Sequence, residues 1–143
     1  MALFQDYHPA LWGILIIIAT LLIQAFLGSA VKARQPGAVP GKVDPNLSHG
    51  SFVFRAHRTF MNSLENVPVM LATAFLAILA GASAFWTAVF IWTFALARLV
   101  HMLLYYIIAT EKNPSPRSYF YLIGMISNVA LLILSGMALA GNG

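Results

Sequence analysis

Residues 84–108 read AFWTAVFIWTFALARLVHMLLYYII, an apolar run interrupted by one charge, Arg98, and one histidine, His101. A helix needs about 20 apolar residues to cross the hydrocarbon of a bilayer, and this run has them. A charge at that depth is expensive, so Arg98 is by default a functional-site hypothesis. Three more runs have the same character, about Ala10 to Val31, Phe60 to Ala80 and Tyr119 to Ala140. They are continuous, where the strands of a transmembrane barrel alternate, so helices that close their backbone bonds internally are expected. The expected fold is therefore all-α, a four-transmembrane-helix bundle forming a single integral membrane domain over 1–143.

Composition points the same way. Of 143 residues 60% are hydrophobic and 8% charged, against a charged fraction of about 25% in ordinary soluble domains. There is no cysteine, so the chain has no thiol nucleophile, thiolate metal site or disulfide, and any sulfur chemistry must use a substrate's sulfur. The N-terminus lacks the basic n-region and cleavage site of a signal peptide, so the first span reads as retained.

The basic residues set the orientation. Lys32, Arg34, Lys42, Arg55 and Arg58 lie in or beside the first loop, Lys112 and Arg117 in the third, and only Arg98 lies within a span. The positive-inside rule then puts both termini outside and loops one and three in the cytoplasm. The net charge of +4 is an orientation and membrane-surface effect, and because the basic residues flank spans, no nucleic-acid partner is expected. Loop two is a tight Gly81-Ala82-Ser83 turn; loop one, from 32 to 58, is rich in breakers (Pro36-Gly37, Pro40-Gly41, Asp44-Pro45-Asn46), and helix two restarts near Phe52, before the membrane. Pro116 stands just before helix four, where a missing N–H costs nothing.

Helical spacing decides which polar groups share a face. At about 100° per residue Arg55, Arg58, Asn62 and Glu65 fall within roughly 80° of arc on helix two. Arg98, His101 and Tyr105 form a second stripe on helix three, and Arg117, Tyr121, Gly124 and Asn128 a third on helix four. All three reach the cytoplasmic leaflet. Glu65 and Arg98 lie at comparable depth, roughly 8 and 15 Å in at 1.5 Å per residue, so an ion pair between them is expected as the means of keeping either charge in hydrocarbon. Several arginines, an amide, a carboxylate and tyrosine hydroxyls suit a small peptide-like zwitterion whose carboxylates arginine forks can grip. Where such a ligand carries a thiol, a guanidinium nearby stabilises the nucleophilic thiolate.

The set Arg58-x-x-x-Asn62-x-x-Glu65-Asn66-x-Pro68, Arg98-x-x-His101-x-x-x-Tyr105 and Pro116-Arg117-Ser118-x-x-Tyr121 resembles the MAPEG family, the membrane-associated proteins in eicosanoid and glutathione metabolism, over roughly residues 10 to 140. The resemblance implies a homotrimer of four-helix subunits with glutathione, a substrate, bound at the cytoplasmic side between neighbours. It makes Arg58, Asn62, Glu65, Arg98, His101, Tyr105 and Tyr121 glutathione-binding candidates, with Arg34 at the end of helix one as a further one, and Arg117 the catalytic, thiolate-stabilising candidate. Glu65-Asn66 is similar to the microsomal glutathione transferase branch; the leukotriene synthase branch has an aromatic where Asn66 stands. The prostaglandin synthase branch has an aspartate where this chain has Ser63, and its basic run abuts the asparagine, whereas here Arg55-Ala56-His57-Arg58 is displaced by three residues.

The activity so implied is membrane-bound glutathione transfer to a lipophilic electrophile arriving from the bilayer lipids, with lipid hydroperoxide reduction as a side activity and the site on the cytoplasmic side; the short chain and the lack of a basic C-terminal retrieval signal make a bacterial inner membrane the expected setting. Two other classes are weighed beside it: a small proton-coupled multidrug exporter using Glu65, and a non-catalytic scaffold of the same fold. No metal is expected, because His49 and His57 lack a ligand spacing and no second carboxylate or cysteine joins them. Lys32, Lys42 and Lys112 read as headgroup anchors, Trp12, Trp86 and Trp92 as belt or lipid-facing residues, and the methionines as core filler.

Overall fold

The computed structural model describes residues 5–141. Four helices make up the bundle: α1 (His8–Ala33), α2 (Phe52–Leu79), α3 (Ala84–Ile107) and α4 (Pro116–Gly141). Each is long and apolar enough to cross a membrane, and among the described residues there is no strand. The protein is thus an integral, multi-pass four-helix bundle. Pro9 lies in the first turn of α1 and Pro116 opens α4, positions where the proline nitrogen forfeits no helical bond.

The α2–α3 connection is as tight as its sequence requires. The Ala82 N–H reaches back to the Ala77 carbonyl at 3.0 Å and the Gly81 N–H to Ile78 at 3.2 Å, the paired bonds of a Schellman stop. Gly81 takes φ +69°, a left-handed conformation that costs a side-chain-bearing residue and not glycine. On the same end the Tyr7 hydroxyl donates to the Ala82 carbonyl, strapping the segment before α1 to the turn. Burial, then the nearby Asp6 charge, raises the Tyr7 phenol above its ordinary pKa.

The two middle helices are the most enclosed, with α1 and α4 flanking them. The core is apolar: Ile17, Val67, Met70, Ala74, Ile91, Phe94 and Leu131 are essentially inaccessible. Small residues let the backbones close up. A Cβ built on Gly13 would stand 2.7 Å from the Ile91 Cγ2 on α3, while one on Gly124 would meet the Phe94 ring at an ordinary 3.5 Å. Outward faces carry Leu15, Leu22, Phe26, Leu122, Ile126 and Ile133, as lipid contact demands. Trp12 and Trp86 are half exposed on those faces, whereas Trp92 donates from Nε1 to the Pro9 carbonyl at 2.9 Å and ties α3 to α1. Met70 and Met102 are buried as expected, but Met137 faces outward.

Candidate functional site

At the basic end of the bundle α2, α3 and α4 surround a cavity of about 210 Å³ lined by Asn62, His101, Tyr105, Arg117, Ser118 and Tyr121. Five of these six are residues that the sequence pattern singles out, one or two from each stripe. Larger clefts, up to about 480 Å³, lie beneath loop one and are lined by Lys32, Lys42, Asp44 and their neighbours. They are bigger, but they gather no converging set of buried polar groups.

Arg98 is not among the lining residues; it lies behind Asn62 and differs from expectation in its partner. It is 3% exposed, donating from Nη1 to Asn62 Oδ1 and from Nη2 to Ser63 Oγ, each at 2.8 Å. The expected Glu65–Arg98 ion pair is absent: the one ion pair among the described residues joins His49 to Glu111, and Glu65 lies exposed on the outer face of α2. The reason is rotational. Ser63 stands about 200° around the helix from Glu65, so an α3 that docks between Asn62 and Ser63 leaves Glu65 at the edge of the contact, exposed and beyond ion-pair distance of Arg98. The Asn62 oxygen is thereby committed to Arg98, while Asn62 also lines the cavity.

Arg117 forms one wall. It is 8% exposed; Nη2 donates to the Thr110 carbonyl at 3.0 Å, and the guanidinium carbon lies 4.1 Å from the centre of the Tyr105 ring, a cation–π geometry. Its Nη1 is buried without a hydrogen-bond partner, as is Nδ1 of His101, whose ring sits 5.1 Å from that of Tyr105. His101 Nδ1 therefore does not satisfy a backbone carbonyl, the bland use of a membrane histidine. The Arg117 guanidinium, with no carboxylate among the lining residues, makes the cavity positive, and a buried N–H with no acceptor is costly. An anionic, acceptor-rich ligand suits both conditions.

The other expected residues lie outside this cavity. Arg34, Arg58 and Glu65 are exposed, Arg34 at the end of α1, Arg58 and Glu65 on the surface of α2 next to Asn62. Three residues not expected at the site take part in it or support it. Ser63 holds Arg98, and Ser118 lines the cavity. Arg55 is 9% exposed and clasps the His49 and Gly50 carbonyls at 2.6 and 3.0 Å, so it fixes loop one and does not face a ligand. Such signals were faint: a serine beside Asn62, another beside Arg117, and an arginine one turn into α2.

Loop one is also tied to loop three. The Glu111 carboxylate accepts from the His49 backbone N–H at 2.9 Å and faces His49 Nδ1 at 2.7 Å. These contacts, the side-chain one foremost, hold the Glu111 carboxyl below its ordinary pKa. Among the described residues no cluster of three or more metal-ligating side chains forms.

Comparison with known proteins sets this geometry in a lineage. No curated protein and no solved structure gives a significant match, but the model of the MAPEG family matches residues 9–137. That match reaches into all four helices and takes in every residue of the cavity, and the chain belongs to the MAPEG family.

Proposed function

We propose that this protein is a membrane-bound glutathione transferase of the microsomal type. The observation that carries the reading is the convergence of Asn62, His101, Tyr105, Arg117 and Tyr121 from three helices on one cavity, with Arg117 Nη1 and His101 Nδ1 buried and unpartnered there. Family membership supports it, and Glu65-Asn66 favours the microsomal branch. Arg117 stabilises the glutathione thiolate, shifting a thiol of ordinary pKa about 8.5 toward its nucleophilic form at neutral pH. The thiolate attacks an electrophilic carbon; a C–S bond forms, the leaving group departs with its electron pair, and the thiol proton goes to water. Catalysis is then positioning and electrostatics, with no covalent bond to the enzyme. With a lipid hydroperoxide the thiolate takes the distal oxygen, releasing the alcohol, and a second glutathione yields the disulfide and water.

A cavity of about 210 Å³ falls short of the roughly 300 Å³ at which small-molecule sites begin. One subunit therefore grips part of the tripeptide, and in the proposed homotrimer a neighbour supplies the rest. Arg58 and Glu65, exposed beside Asn62, and Arg34 at the end of α1 are the groups positioned for that contact. The proposed setting is a bacterial inner membrane with the basic, site-bearing end in the cytoplasm, where loops one and three concentrate positive charge. The exporter reading fares worse, since its carboxylate must face an internal path and Glu65 faces outward.

Calorimetric titration of glutathione into detergent-solubilised protein, followed by turnover of a generic aryl halide, tests the proposal. Saturable binding with thiol conjugation is expected. Absence of binding overturns it, and binding without turnover leaves the scaffold as the correct reading.

A further inference from the structure

Thr110 and Glu111 are consecutive residues of the α3–α4 connection that hold two different things. The Thr110 carbonyl accepts from Arg117 Nη2 at 3.0 Å, and the Glu111 carboxylate receives loop one through both the backbone N–H and the ring of His49. His49 is itself fixed from the other side, because Arg55 Nη1 donates to its carbonyl at 2.6 Å. Its ring packs 4.9 Å from that of Phe54 and 6.0 Å from that of Tyr105, the same Tyr105 that carries the Arg117 guanidinium on its ring. Arg117 is thus located by two supports, one carbonyl and one aromatic ring, and the His49–Glu111 clasp touches both.

We propose that His49 and Glu111 are positioning residues for Arg117, a clasp between loops one and three that holds its guanidinium in the wall of the cavity. The inference rests on the proposed glutathione chemistry, for which Arg117 is the thiolate-stabilising group. The Glu111 side chain is 66% exposed, and an exposed ion pair adds little to stability. The clasp therefore has little to do for the fold and much to do for a guanidinium whose effect on a thiol depends on distance and angle. A misplacement of about 1 Å is enough to cost catalysis heavily.

The decisive measurement is the ionisation of bound glutathione, read from thiolate absorbance against pH in wild type, E111Q, E111A, H49F and R117A. Glu111→Gln keeps an acceptor for the His49 N–H but removes the charge, Glu111→Ala removes both, and His49→Phe keeps a ring against Tyr105 without the Nδ1 contact. Expected is an upward move of the bound thiol's pKa by about one unit in E111A, with E111Q and H49F between it and wild type, a tenfold loss of thiolate at neutral pH per unit. The kcat/KM deficit should then close at pH above the thiol's pKa, where ionisation needs no help; damage to the fold lowers the rate at every pH. Wild-type protein that binds no glutathione overturns the proposed function itself. Wild type that ionises glutathione and R117A that does not, together with E111A and H49F that titrate as wild type, overturns the clasp alone. Should E111A not fold, E111Q and H49F carry the same decision.

Discussion

Removing the Ser63 hydroxyl asks whether Arg98 is held as the structure has it. Both residues are nearly inaccessible, 2% and 3% exposed, and the Arg98 Nε is already without a partner. Ser63→Ala strips a second donor of its acceptor and leaves Asn62 as the one side chain holding the guanidinium. Hydrogen bonds to charged groups contribute about 1.5–3 kcal/mol in soluble proteins. Side-chain bonds in a membrane protein average nearer 0.6 and reach about 1.7 kcal/mol, because the unfolded chain in the bilayer finds other partners. A charged donor enclosed by protein belongs at the upper end of that second range, so about 1–2 kcal/mol is expected, roughly 5- to 30-fold in the folding equilibrium. Reversible unfolding in mixed detergent measures it, as a cycle of S63A, R98M and the double variant. Methionine fills the arginine stem's path without a charge, so S63A should be close to neutral in the R98M background. An equal cost for S63A in both backgrounds refutes the bond, and a larger coupling between E65Q and R98M than between S63A and R98M restores the ion pair in its place.

Arg117→Ala should lower kcat/KM toward glutathione and an aryl halide by about 10²-fold, the usual cost of one charge-stabilising donor, with glutathione affinity falling far less. Gly13→Ala forces a methyl group to 2.7 Å from Ile91 Cγ2, and a β-branched neighbour cannot easily swing away; a loss of about 1–3 kcal/mol in detergent unfolding is expected, while Gly124→Ala should stay close to wild type. Because the folded Glu111 pKa is depressed by its bonds to His49, the clasp stabilises above the ordinary carboxylate pKa and is lost as pH falls through the lowered value. Hydrogen-exchange protection of the His49 amide should therefore hold through neutral pH, fall in acid below the usual carboxylate range, and lose that dependence in E111Q. Co-expression of R117A with E65Q subunits should restore conjugation that neither variant shows alone, since a site built between neighbours finds both groups intact in mixed trimers; no restoration confines the site to one chain.

The fold was almost wholly legible. Run length set four helices, the early restart near Phe52 matches the start of α2, and Gly81 announced the turn it makes. The site was legible as a list of stripes, because helical periodicity is a local property. Which stripe faces which is not local. Depth along the membrane paired Glu65 with Arg98, yet only the packing of α3 against α2 could show that Asn62 and Ser63 meet the guanidinium. A search for an opposite charge also passes over a serine, although a hydroxyl meets a buried N–H as well. Arg55 looked like one more member of the α2 stripe; its targets are backbone carbonyls at His49 and Gly50, which no pattern of side chains advertises.

The strap from Tyr7 to Ala82 has a consequence for how the chain is assembled in its bilayer. Its ends are 75 positions apart, so α1 must leave the insertion machinery and wait, free to drift in lipid, until α2 and the turn after it have been made. That helix can wait, being the most apolar of the four, whereas α2 is the least and carries the burden of Arg58, Asn62 and Glu65. Its natural entry is together with α3 as a hairpin pre-bent at Gly81, delivering Arg98 to Asn62 and Ser63 in one event. Closing the strap then joins α1 to the turn after α2, before α4 brings Arg117 to the site.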